Sequence, residues 1–186
     1  MSKHNFLQNL ERIKKQAREN ITKGAVTENY QLDKKDVVSL LNSALATEII
    51  CTLRYKQHHF TAAELGASVA SAEFLEHSRQ ESEHADQLAE RILQLGGKPN
   101  FSPVGLEKRA HAEFVECETV SCMVKENLIA ERIAIDIYRA MIAYIGNHDP
   151  TTRKMLEYIL AIEEEHADDL LDVAAEYDVN LEFSDS

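Results

Sequence analysis

Apolar residues recur along most of this chain at intervals of three and four, the period of a helix buried along one side. The first such segment, about residues 5–21, places Phe6, Leu10, Ile13 and Ala17 at that spacing, and Gly24 with the polar stretch after it marks its end. A long helix A is expected over about residues 33–59, with Val37, Leu41, Ala44, Leu45, Ile49, Thr52 and Tyr55 in its stripe. Helix B is expected over about 68–95, with Val69, Phe74, Leu88, Ile92 and Leu95 inward, until Gly96-Gly97-Lys98-Pro99 stops it.

From Lys98 to about Glu118 the pattern breaks, with Pro99, Pro103 and Gly105 in the break and a short helix expected around 106–114. Structureless loops of this length are uncommon, so the stretch reads as a crossover along the domain. Helix C follows over about 119–145, with Val124, Leu128, Ile135, Tyr138 and Ile142 inward. Asp149-Pro150 is a strong start signal, an N-cap aspartate followed by proline at the first helical position. Helix D is expected to about Tyr177, with Leu156, Ile159, Leu170 and Val173 inward. The fold class is therefore all-α: a four-helix bundle with one long crossover between helices B and C, plus an N-terminal helix. The expected divisions are 1–24 for an N-terminal amphipathic helix, 33–177 for the bundle and 178–186 for a tail.

Composition agrees with helices: 186 residues hold only six glycines and three prolines. A formal charge of −12 argues against general affinity for nucleic acid and suits a cationic partner. The exception is the first segment, where Lys3, Arg12, Lys14, Lys15, Arg18 and Lys23 outnumber Glu11 and Glu19. That segment is the one feature that could touch DNA; packing on the bundle or on a neighbouring subunit is the preferred reading over DNA binding. No run of 18 apolar residues occurs, so no membrane span is expected, and a cytoplasmic location follows from the lack of a signal-peptide pattern. Three cysteines are too few for a disulfide framework, and Cys51, Cys117 and Cys122 are expected to be buried or idle thiols.

The candidate chemistry lies in an octapeptide that occurs twice, 82 positions apart: Glu81-Ser82-Glu83-His84-Ala85-Asp86-Gln87-Leu88 and Glu163-Glu164-Glu165-His166-Ala167-Asp168-Asp169-Leu170. In each, a glutamate precedes a histidine by three, which puts both side chains on one helix face. Glu-x-x-His alone is weak, since about one instance arises by chance in a chain of this length and composition. The position is more telling: Glu81 and His84 fall on helix B's apolar stripe, and Glu163 and His166 on helix D's. Buried carboxylates and imidazoles must be paired, protonated or bound to metal.

Antiparallel neighbours hold residues level when they are equidistant from the turn. Reflecting Glu81 through the turn near Gly66 lands close to Glu48, 33 residues upstream. Reflecting Glu163 through the turn before Pro150 lands close to Glu131, 32 residues upstream. The rival Glu126 is five residues off, about 7.5 Å of helix rise. Tyr55 and Tyr138 each lie seven residues beyond their glutamate. Four glutamates and two histidines at one level carry −4, which two divalent cations neutralise, and mixed O/N donors without thiolates suit Fe, Mn or Zn. Glu81 and Glu163 are the expected bridges, with Glu48 and His84 completing one metal, and Glu131 and His166 the other. His77, seven residues before His84, reads as a satisfied interior or pore histidine, His58-His59 as a cap on helix A, and Glu83, Asp86, Glu165, Asp168 and Asp169 as a solvated face.

At these residues the chain resembles the ferritin-like di-iron carboxylate superfamily, specifically bacterioferritins and Dps-like ferritins. The ligand set of such bundles is a general feature of the fold. The resemblance spans roughly 33–177 and includes Glu90-Arg91-Ile92-Leu93-Gln94-Leu95-Gly96-Gly97-Lys98-Pro99-Asn100 and Asn127-Leu128-Ile129-Ala130-Glu131-Arg132. It implies an iron storage and detoxification protein, with a ferroxidase centre inside each subunit that oxidises Fe(II) with O2 or H2O2 and passes Fe(III) into a cage. Tyr55 resembles the bacterioferritin tyrosine beside that centre, which supplies an electron. Ser82 stands where bacterioferritins carry a haem-binding methionine, so haem is not expected. About nine residues follow Tyr177, and with a helix in the middle connection this is closer to a 12-subunit Dps-like cage than to a 24-subunit shell. The alternative is a di-metal oxidoreductase, manganese catalase-like or an oxygenase, on the same bundle without storage.

Overall fold

The computed structural model describes residues 3–182. Five α-helices follow one another: α1 (Lys3–Glu19), α2 (Lys34–Glu64), α3 (Ser68–Gln94), α4 (Val120–Ile145) and α5 (Pro150–Glu176). Each long helix starts or stops where local chemistry says it should. Asp33 accepts from the Lys35 amide, Thr119 from the Cys122 amide and Asp149 from the Thr152 amide, each satisfying an orphan donor of the first turn. Helix α2 runs five residues past the expected end, to a turn in which Gly66 has φ 74° and the amides of Gly66 and Ala67 return to Ala63 and Ala62. Gly96 closes α3 in the same way, with φ 78° and the Gly97 amide on Ile92.

The four long helices form the bundle, packed chiefly as the α2–α3 and α4–α5 antiparallel pairs, with α3 against α5 and α2 against α4. Helix α2 is long and apolar enough to cross a membrane by length and composition, but Val37, Leu41, Leu45 and Tyr55 along it are fully buried against the other helices. Among the described residues, α1 makes no extensive contact with the four bundle helices, and Ile13 along it is 45% exposed. The core lies in two apolar layers. One gathers Tyr55, Phe74, Met123, Val124 and Leu170; the other gathers Leu41, Leu45, Leu88, Tyr138 and Ile159. Val69, expected inward, is 47% exposed.

The segment from Leu95 to Thr119 contains turns but no α-helix, contrary to the expected helix near 106–114. It needs none, because it takes its hydrogen bonds from α2. Asn42 bonds Lys98 and Asn100, Thr47 Oγ1 accepts from the His111 amide, Arg54 donates to Glu113 O, and His58 Nε2 donates to Val115 O. The crossover thus runs the length of α2 and delivers α4 antiparallel to it. His58 is fully buried rather than capping the helix end; its Nδ1 accepts from Asn127 Nδ2, whose Oδ1 accepts from Arg54 Nε at 2.9 Å. Burial lowers the His58 pKa to about 4, so the ring stays neutral in this network. Cys117 and Cys122 are joined in a disulfide across the start of α4, correcting the expectation of idle thiols for that pair. Cys51 is a free, buried thiol whose pKa is raised by burial.

Candidate metal centre

Between the two apolar layers lies one polar layer. Glu48, Glu81, His84, Glu131, Glu163 and His166 are each at most 2% exposed and come from four different helices. His84 Nδ1 lies 3.5 Å from Glu48, 3.4 Å from Glu81 and 3.0 Å from Glu163. His166 Nδ1 lies 3.8 Å from Glu81, 3.9 Å from Glu131 and 3.5 Å from Glu163. Two groups emerge whose donor atoms fall within 4.8 Å of one another: Glu48–Glu81–His84–Glu163 and Glu81–Glu131–Glu163–His166. They share Glu81 and Glu163. Glu126 joins neither group.

The layer is short of hydrogen-bond partners in a way a polypeptide interior rarely tolerates. Glu48 Oε2, both oxygens of Glu81 and of Glu163, His84 Nδ1 and His166 Nδ1 are all buried and without one. These orphaned atoms face each other, and bound cations would satisfy them together, so the donor set fits a pair of divalent ions.

Other contacts hold the donors in place. Tyr55 donates to Glu131 Oε1 and Tyr138 donates to Glu48 Oε1, so each tyrosine braces the outer glutamate of the opposite helix. Sequence spacing paired each tyrosine with the glutamate of its own helix, and only the packing of α2 on α4 reveals the exchange. His166 Nε2 lies 2.8 Å from Gln80 Oε1. Donation there fixes the tautomer and leaves Nδ1 free as a metal donor. Gln80 carries no local signal of this role, since its partner is 86 residues away.

His77 departs from its reading as a satisfied histidine. It is fully buried, yet neither ring nitrogen has a hydrogen-bond partner. Its ring stacks on His166 with centroids 4.0 Å apart and meets the Tyr55 ring edge-on at 5.1 Å. Burial and the neighbouring His166 lower its pKa to about 2.

Without metal, the carboxylates resist ionisation. Burial, then Glu163 and Glu48, raise Glu81 well above the usual range; burial, then Glu163, raise Glu131 to about 8; burial, then Glu48, raise Glu163. Burial opposes the charge of Glu48, but the adjoining Glu81 carboxyl and the His84 ring 3.5 Å away outweigh it and lower that pKa. Burial likewise opposes the His84 cation, but Glu163, Glu48 and Glu81 outweigh it and raise the pKa. Groups whose folded pKa is raised stabilise the fold at low pH and cease to do so as pH climbs through the folded value. His77 and His166, both lowered, work in the opposite sense but only below about pH 6.5, the ordinary histidine value. Between pH 7 and 9 the raised groups decide, so the chelated protein should lose thermal stability across that window. A metal-loaded sample should resist the loss, and metal binding should release protons, measurable by calorimetry in buffers of different ionisation enthalpy.

This donor set, in a bundle with a crossover between its second and third long helices, sits within a match to a known family model. Residues 38–178 match the Ferritin model, a ferritin-like domain. The chain belongs to the ferritin-like family. It is 35% identical over 132 residues to a nutrient stress-induced DNA-binding protein of Synechococcus, covering 68% of this chain and 74% of that protein. To a bacterioferritin of Mycobacterium bovis it is 29% identical over 134 residues, covering 72% and 80%. Among solved structures it is similar to a dodecameric thioferritin, the bacterioferritin-related protein of Bacteroides fragilis, with TM-score 0.72, 29% identity, and 79% of this chain and 89% of that one covered. All six donors of this ferritin-like chain lie inside the matched residues.

Proposed function

We propose that this protein oxidises Fe(II) to Fe(III) at a pair of metal ions within each subunit and stores the product inside a homo-oligomeric cage of twelve subunits. The carrying observation is the pair of donor groups that share Glu81 and Glu163 and leave their facing atoms without hydrogen bonds. Glu48 and His84 complete one ion, Glu131 and His166 the other, and the two shared carboxylates bridge them. Two Fe(II) ions bound as substrate carry the two electrons that take O2 to peroxide or peroxide to water. Four carboxylates hold that pair against the low dielectric of the core, and the positive charge of the entering ions drives off the protons that the clustered carboxyls otherwise retain. The names of the relatives, bacterioferritin and a dodecameric thioferritin, support storage and the cage.

Aerobic addition of many equivalents of Fe(II) per subunit, followed by sizing and metal analysis, tests the whole reading. A cage that gains a ferric core is expected. A monomer or dimer that takes two metals and stops would instead indicate a di-metal oxidoreductase, of the manganese catalase or oxygenase kind.

Tyr55 is the proposed electron source beside the centre. It touches the His166 and His77 rings as well as Glu131, and burial with Glu131 raises its phenol pKa so that it stays protonated. Tyr55→Phe keeps the ring but strands a Glu131 oxygen, at about 1–3 kcal/mol. The expected result is a tyrosyl radical signal in the parent protein after peroxide addition, read by electron paramagnetic resonance, and continued Fe(II) oxidation without that signal in the variant. Tyr138→Phe should keep that signal.

A further inference from the structure

We infer that Glu73, His77 and Asp169 form a further divalent-cation site, on the solvent side of the metal centre between α3 and α5, where Fe(II) is staged before it enters. His77 Nε2 lies 3.2 Å from Glu73 Oε1 and 3.5 Å from Asp169 Oδ2. Donor atoms of the three residues fall within 4.8 Å of one another. Glu73 and His77 are one turn apart on α3, the spacing that aims two side chains at one point; Asp169 comes from α5, one turn beyond His166.

Two acidic side chains near a helix face would be unremarkable by themselves. What distinguishes this place is His77, a fully buried imidazole with no hydrogen bond at either nitrogen, pointed at both carboxylates. A buried polar ring left unpaired costs free energy, and a cation at this point would relieve that cost. The site also has an outside and an inside. Glu73 and Asp169 side chains are 32% and 40% exposed, so an ion can arrive from water and keep water in its remaining positions. On the inner side His77 stacks on His166, and His77, Glu131 and His166 themselves place donor atoms within 4.8 Å of one another. One imidazole therefore faces both the outer carboxylates and the inner pair. One nitrogen with two carboxylate oxygens suits Fe(II), Mn(II), Co(II) or Zn(II) rather than an all-oxygen calcium cage.

The staging role rests on the proposed ferroxidase reading; the binding site does not, and the test separates them. The chelated cage is dialysed anaerobically against Co(II) and the bound metal counted per subunit for the parent, for Glu73→Ala/Asp169→Ala, and for Glu81→Ala/Glu163→Ala. Three ions in the parent, two in the outer variant and one in the inner variant are expected. Equal counts in the parent and the outer variant would overturn the outer site while leaving the inner pair standing. One ion in the parent and none in the outer variant would uphold the outer site and overturn the inner reading. With limiting Fe(II) and oxygen present, the outer variant should also oxidise iron about tenfold more slowly, the lower end of what a charged entrance adds to an on-rate. An unchanged rate with the third ion lost would overturn the staging role.

Discussion

Replacing either shared glutamate, Glu81→Gln or Glu163→Gln, should slow the initial oxidation of Fe(II) by about 100-fold or more, above the 10–100-fold typical of losing a residue that only orients a metal donor. The reason is the sharing. Glu81 and Glu163 each belong to both donor groups, whereas Glu48 and Glu131 each belong to one. Losing a shared carboxylate weakens both ions and removes half of the link between them. Glutamine keeps the size, so the result reads chemistry rather than a cavity. The metal-free variant should moreover be more stable than its parent, by about 0.5–2 kcal/mol, the usual size of a single stabilising change. Burial and the neighbouring carboxylates already raise Glu81 and Glu163, so removing one ionisable group relieves repulsion. Stopped-flow oxidation and the melting temperature after chelation measure the two effects. Glu126→Gln, outside both groups, serves as the control. Loss of rate together with loss of metal-free stability would point to a structural role instead.

How much of this centre can be read from the chain depends on distance along it. The Glu48–Glu81 and Glu131–Glu163 levels were legible because each pair lies on two antiparallel helices joined by a short turn. Counting residues from the turn then measures height along the bundle. The glutamate–histidine pairs were legible because three residues is one helix turn. Nothing of that kind relates α2 to α4, whose meeting is set by the crossover. Hence the exchange of braces, Tyr55 on Glu131 and Tyr138 on Glu48, had no signature in spacing. The same holds for Gln80 at His166 and for Asp169 at His77, which the chain presents as one more acid on a solvated face.

The crossover itself is legible, but the short helix expected around 106–114 within it is absent. Structureless loops of this length are uncommon, which favoured some helix within it. Here Asn42, Thr47, Arg54 and His58 on α2 supply its hydrogen bonds instead. Arg54 is 1% exposed and donates to Asn127, to Glu113 O and to Cys51 Sγ. A buried charge of this kind must find acceptors, and the crossover supplies one of them at Glu113 O. The Cys117–Cys122 pairing, by contrast, depended on the backbone turning back on itself between residues only five apart.

Asp149→Ala should be strongly destabilising, by about 3–5 kcal/mol, the range for stranding one member of a buried ion pair. Asp149 is 3% exposed and is the meeting point of three segments. Its carboxylate caps α5 through the Thr152 amide and hydroxyl, accepts both oxygens' worth of hydrogen bonds from Arg91 Nη2 on α3 at 2.9 Å, and accepts from the Tyr30 hydroxyl ahead of α2. Burial opposes its charge, but hydrogen bonds from Thr152, then Arg91 and Tyr30, outweigh it and lower its pKa. Alanine removes the cap and leaves the Arg91 guanidinium, 8% exposed, with Thr152 and Gln94 but no anion. At about 2–4 °C per kcal/mol for a chain of this size, the melting temperature should fall by roughly 6–20 °C. The cause is open to a direct check, because a stranded charge is relieved by removing its partner. Asp149→Ala/Arg91→Met should melt above Asp149→Ala, since an apolar replacement of a buried pair is often near neutral. If the double variant melts lower still, the cap and the packing of Arg91, rather than the ion pair, hold this corner of the bundle together.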